Sequence, residues 1–74
     1  MIVDLERLKR TLADDLKALR EGKSVLGVSE MADALEALGP AYVVNAKAIR
    51  SSKNDPKGLT VEYALILEKL ERPS

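Results

Sequence analysis

The sequence predicts an α+β domain: two N-terminal amphipathic helices packed on one face of a C-terminal β-hairpin. Three observations carry that expectation. Leu5, Leu8, Leu12, Leu16 and Leu19 recur at three- and four-residue steps, the mark of a single helical stripe. Gly39-Pro40 closes a second, shorter helical pattern, since proline cannot continue it. Downstream, Asp55-Pro56-Lys57-Gly58-Leu59 has turn chemistry. Proline presets φ to about −65° at the second position of a type I turn, and glycine can take the positive φ that follows. That is the usual build of a three-residue hairpin loop with a glycine bulge.

The first helix is expected over 4–21, with Asp4 as N-cap, Val3 stapled onto Leu8 and Gly22 as the stop. Its other face carries Glu6, Arg10, Asp14 and Lys17 at ion-pair spacing. After a connection anchored by Val25, Leu26 and Val28, Ser29 is expected to cap a helix over 29–38, and the two helices to form an antiparallel pair. Residues 41–69 read as the hairpin. Leu59, Val61, Tyr63, Leu65 and Leu67 fall on one face of a strand, with Thr60, Glu62, Ala64 and Glu68 on the other. A helix there would scatter the apolar residues around its circumference. Even so, Ala46, Lys47, Ala48 and Arg50, like Ala64, Leu65, Leu67, Glu68 and Lys69, are good helix formers. An all-α four-helix chain of helix-turn-helix type is therefore the alternative. The expected core is Leu8, Leu12, Leu16, Leu35, Leu38, Leu65 and Leu67, and 72–74 is expected to be a frayed tail.

Seventy-four residues make one small domain spanning 1–74, whose stability is marginal without a partner. The chain has neither cysteine nor histidine, so disulfides, thiolate metal sites and the commonest general base are excluded. Twelve basic and twelve acidic residues cancel, which is not the composition of a dedicated polyanion binder. No apolar run approaches the ~20 residues of a membrane span, and Met1-Ile2-Val3-Asp4 lacks a signal-like pattern. No membrane association is expected, and cytoplasmic localisation is the default.

No enzyme chemistry is expected. Asp14 and Asp15 project about 100° apart on a helix and cannot share a proton; Asp14 reads as a solvated partner of Arg10 and Lys17. Ser24 beside Lys23 has nothing to complete an oxyanion site. Gly22-Lys23-Ser24 lacks the upstream glycine of a phosphate loop and ends a helix instead of starting one. No cofactor or metal site is expected either.

The basic cluster is the one local charge feature. Lys47, Arg50, Lys53 and Lys57 against Asp55 give residues 41–57 a net charge of +3, and the rest of the chain carries −3. On a hairpin these residues would gather at its tip as a basic finger for phosphate or an acidic protein surface. Equally, lysines protect the exposed edges of ordinary strands.

Leu16-Lys17-Ala18-Leu19-Arg20-Glu21-Gly22-Lys23, followed by Val28-Ser29-Glu30-Met31-Ala32-Asp33-Ala34-Leu35, resembles the first two helices of small helix-turn-helix regulators of the phage-repressor and antidote type. The resemblance covers under half of the chain and implies DNA binding through a following recognition helix. There the sequence departs from the pattern. Glu36-Ala37-Leu38-Gly39-Pro40 is longer than the usual turn, and Tyr42-Val43-Val44-Asn45 is a poor start for such a helix. A winged variant, with the hairpin as wing, keeps part of the pattern.

The sequence-level expectation is thus a non-enzymatic protein-interaction module of the sort found among small phage, accessory, inhibitor or assembly proteins. A two-stranded sheet with open edges needs a further layer, so a homodimer is expected, with Val43, Ile49 and Ile66, and residues 42–50 or 61–67, in its interface. The alternative is a small DNA-binding regulator using Lys47, Arg50, Lys53 and Lys57.

Overall fold

Asp4 opens the first element by accepting a hydrogen bond from the Arg7 amide at 3.2 Å, and α1 runs from Leu5 to Arg20. The computed structural model describes residues 3–72; of the predicted frayed tail, Pro73 and Ser74 lie outside them. Helix α1 ends in a Schellman arrangement. Gly22 takes φ +78°, and the Lys23 amide reaches back to the Ala18 carbonyl at 2.9 Å. Of the stripe read from the sequence, Leu8, Leu12, Leu16 and Leu19 face the core, whereas Leu5, at the start of the helix, is 39% exposed.

Helix α2 spans Val28–Leu38. Its N-cap is Gly27 in the left-handed region at φ +75°, not the expected Ser29, which lies inside the first turn. A 3-10 turn, Pro40–Tyr42, leads into α3, Val43–Ser51; after Ser52–Asp55 comes α4, Pro56–Glu71. Helix α1 packs chiefly on α4 and α2 on α3, so the predicted α1–α2 antiparallel pair is not the main contact. Leu5 shares a groove with Leu65 and Leu70, while Leu19 shares a cleft with Pro56 and Leu59, so α1 and α4 run antiparallel.

The β-hairpin and the α+β class are overturned; among the described residues the fold is all-α, as in the four-helix alternative. The physical reason lies in the string that suggested the turn. A proline with φ of about −65° suits the first helical position as well as a type I turn. Here Asp55 is the N-cap of α4, its side chain accepting from the Lys57 amide at 3.2 Å, and the Leu59 amide closes the first helical bond onto the Asp55 carbonyl at 2.9 Å. Gly58 takes no positive φ and simply occupies the first turn. In α4 the inward stripe is Leu59, Tyr63 and Ile66, with Leu70 partly buried beyond them. Of the expected core, Leu8, Leu12, Leu16 and Leu35 are buried and Leu38 and Leu67 partly so. Leu65 is 52% exposed, because helical twist carries it off the inward stripe.

Candidate nucleic-acid interface

Helices α2 and α3 form a close pair joined by four residues, Gly39-Pro40-Ala41-Tyr42. Gly39 takes φ +139°, open only to residues without a Cβ penalty, and its amide ends α2 on the Glu36 carbonyl at 3.2 Å. Pro40 then starts the 3-10 turn, which the Tyr42 amide closes on the Gly39 carbonyl at 3.1 Å.

Helix α3 has two distinct faces. Ala46 and Ile49 are fully buried against the core, whereas Val44, Lys47 and Ser51 form an exposed line at i, i+3 and i+7, with Val44 76% exposed. Arg50 fixes α3 to α2. One guanidinium nitrogen donates to Asp33 Oδ1 at 2.7 Å and another to Glu36 Oε1, so one planar fork spans two carboxylates on α2. The bond to Glu36, more than that to Asp33, raises the Arg50 pKa further above its ordinary value.

Of the four basic residues singled out in the sequence, Arg50 is thus committed to Asp33 and Glu36. Lys47 lies on the outer face of α3, Lys53 in the 52–55 connection and Lys57 in the first turn of α4, all exposed. Among the described residues, none of these three lysines is in an ion pair. They do not form a hairpin tip, since there is no hairpin. Lys53 instead lines a cleft of about 330 Å³ with Lys23, Ser24 and Asn54, where the end of α1 meets the start of α4.

The predicted dimer residues fare differently. Ile49 and Ile66 have no exposed surface and belong to the core, and Val43 is half-buried; the exposed large apolar residues of the two predicted segments are Val44 in 42–50 and Val61 and Leu65 in 61–67. The two on α4 are 57% and 52% exposed, with Leu5 of α1 beside Leu65, and Leu26, before α2, is 90% exposed. Sequence reasoning named the segment 61–67 but not these two α4 residues of it, and it missed the Arg50 anchor. Asp33 and Glu36, three residues apart on one helical face, were the available signal for the anchor.

Among the described residues no three carboxylates converge as a metal site, and no helix is long and apolar enough to cross a membrane. The chain matches no family model, no curated protein and no solved structure.

Proposed function

We propose that this chain is a small DNA-binding regulator in which α2 and α3 act as a helix-turn-helix pair. The observation that carries the reading is the α2–α3 unit itself: two packed helices, a four-residue glycine-containing connection, and a second helix with a solvent-facing line of short and basic side chains. A recognition helix needs that arrangement, because its outer face must enter a major groove about 12 Å wide while its inner face stays anchored. Val44 suits apolar contact with a thymine methyl, and Lys47 and Ser51 suit base-edge or phosphate hydrogen bonds. Lys53 and Lys57 are suited to backbone phosphates flanking that groove. The Arg50 fork positions α3 and does not read bases.

Net neutrality limits the electrostatic component, so binding should be modest and its salt dependence shallow. Fluorescence anisotropy with mixed-sequence duplex DNA tests this. Micromolar binding at low salt that weakens as salt rises is expected, with Lys47→Ala and Lys53→Ala each reducing the salt slope by about 1. Absence of binding at low salt rejects the reading.

A second reading, a protein-contact module, loses the open sheet edges that first suggested it. It retains one supporting observation, the exposed Val61 and Leu65 on the outside of α4.

A further inference from the structure

Where the start of α1 meets the end of α4, the helices leave a groove of about 750 Å³. Leu38 at the end of α2, Tyr42 of the 3-10 turn and Leu70 of α4 line it, all three half-buried. Leu5 and Leu65 complete the apolar lining at 39% and 52% exposure, so the groove holds apolar surface that no part of the described chain covers. Its remaining lining residues are charged: Glu68, Lys69 and Arg72. An apolar hollow of several hundred Å³ with a few convergent polar groups is the usual build of a small-molecule site.

The charges set the sign of the ligand. Arg72 pairs with Glu68 at 2.5 Å, and those two charges cancel. Lys69 is in no ion pair among the described residues. Its ammonium donates to the Ala41 carbonyl at 2.8 Å and to Asn45 Oδ1 at 3.4 Å, with the Tyr42 ring centroid 4.4 Å away. All three contacts are to neutral groups, and an ammonium has three N–H donors, so one donor is left free. The polar edge of the groove thus carries one uncompensated positive charge beside leucine and tyrosine. Ala41 and Asn45 already hold that charge in place, so a ligand need not order it.

We propose that this groove binds a small amphipathic monoanion, a carboxylate on a hydrocarbon chain of roughly eight to ten carbons, a size suited to a hollow of these dimensions. The carboxylate accepts from the free Lys69 donor, and the chain lies against Leu5, Leu38, Leu65 and Leu70. A cationic head would meet Lys69 and Arg72 together, and a second carboxylate would meet Glu68. An alcohol of equal length gains the apolar contact alone. The groove is open to solvent, so the chain is covered on one side and binding is modest, with Kd on the order of 1 mM for an eight-carbon acid.

The site is independent of the DNA reading, because it uses none of Val44, Lys47, Ser51, Lys53 and Lys57 and its test contains no DNA. Isotope-labelled protein is titrated at neutral pH with octanoate, 1-octanol and octylammonium, and amide shifts are read by nuclear magnetic resonance. Octanoate should give saturable shifts centred on Leu38, Tyr42, Leu65, Lys69 and Leu70. Octanol should bind about two- to five-fold more weakly, the range of one exposed charge pair, and octylammonium more weakly still. Decanoate should bind about three- to ten-fold more tightly than octanoate, since two further methylenes are partly buried. Lys69→Gln keeps a donor for the Ala41 carbonyl but loses the charge; it should bring octanoate down to the affinity of octanol and leave octanol unchanged. Leu65→Glu puts a carboxylate into the groove at a half-exposed position, and it should abolish octanoate binding with the helical circular dichroism unchanged. Octylammonium or octanol binding as well as octanoate overturns the proposal. So do octanoate shifts that scatter over the surface without saturating, or octanoate binding indifferent to Lys69→Gln or to Leu65→Glu.

Discussion

The Lys69 ammonium sits 4.4 Å from the centroid of the Tyr42 ring, directly over its face. The same nitrogen donates to the Ala41 carbonyl at 2.8 Å, so the last turns of α4 are fastened to the connection between α2 and α3. That connection sets where α3 begins. A cation–π contact at an exposed site contributes about 0.5–1 kcal/mol, and a charged hydrogen bond adds to it. Lys69→Met should therefore destabilise the fold by on the order of 1 kcal/mol, lowering the melting temperature by about 5 °C in a domain of this size. Lys69→Arg should recover part of the loss, because a guanidinium also stacks on tyrosine. Equal melting of all three proteins would mean that the contact contributes nothing.

Tyr63 makes a prediction in alkali. The residue is fully buried on the inward face of α4, and its hydroxyl has no hydrogen-bond partner among the described residues. Burial, and then the nearby Asp15 charge, push the phenol up to about 12 from an ordinary 10.0. The unfolded chain thus loses this proton first as pH rises. Stability from this group is fully present below pH 10 and falls between about pH 10 and 12, by on the order of 2–3 kcal/mol once ionisation is complete. Tyr63→Phe removes an unsatisfied buried hydroxyl. It should melt no lower than the parent at pH 7 and should lack this part of the alkaline decline, as urea titrations at pH 8 and pH 11 would show.

Asp15, partly buried on α1, is shifted the same way, by desolvation first and by Asp14 second. For a raised carboxyl, the stability contribution is present below the unfolded value near 3.9 and is lost as pH rises through the folded one. Asp15→Asn should therefore gain stability relative to the parent at pH 7, and the gain should vanish below about pH 3.5. A constant difference across that range would remove the titration as its cause.

Leu12 measures the main seam. It is fully buried at the middle of the α1 stripe, within the cluster that joins all four helices. Leu12→Ala should cost on the order of 2–5 kcal/mol, the range for truncating a buried leucine. A domain of this length has little more than that in reserve, so the variant should be largely unfolded at 37 °C. Circular dichroism decides it: a melt within a degree or two of the parent would mean that the stripe faces no core.

The part of this fold that was legible in the sequence is the part with one interpretation. The α1 leucines match only a 3.6-residue period, and Asp4 and Gly22 have no other local use. Residues 59–67 satisfy two periods at once. Leu59, Tyr63 and Ile66 form the helical stripe, while Val61 and Leu65 complete a strand-like alternation by lying at odd positions. Their exposure belongs to the outer surface of α4 and says nothing about local backbone preference. The basic residues were visible as a group, but the fate of Arg50 depends on Asp33 and Glu36, which only the α2–α3 packing brings within reach.

Gly58 tests the same ambiguity by mutation. A Cβ built on it would stand 2.8 Å from Asp55 Oδ2 and 2.9 Å from Ser52 Oγ, too close for either to remain in place. Two opposing effects follow from Gly58→Ala. Alanine favours the helix over glycine by up to about 1 kcal/mol. Displacing the Asp55 carboxylate costs the N-cap of α4, about 0.5–2 kcal/mol. In the parent the second effect should win or balance the first, giving a neutral or lower melting temperature. In an Asp55→Ala background the cap is already gone and the nearest obstacle with it, so the same substitution should raise the melting temperature. The two sites touch, so coupling on the order of 1 kcal/mol is expected between them. A glycine held at positive φ, as a bulged hairpin loop requires, would instead make alanine unfavourable in both backgrounds. The sign of the change in the second background therefore separates a capped helix start from a turn, and a rise in melting temperature is the expected result.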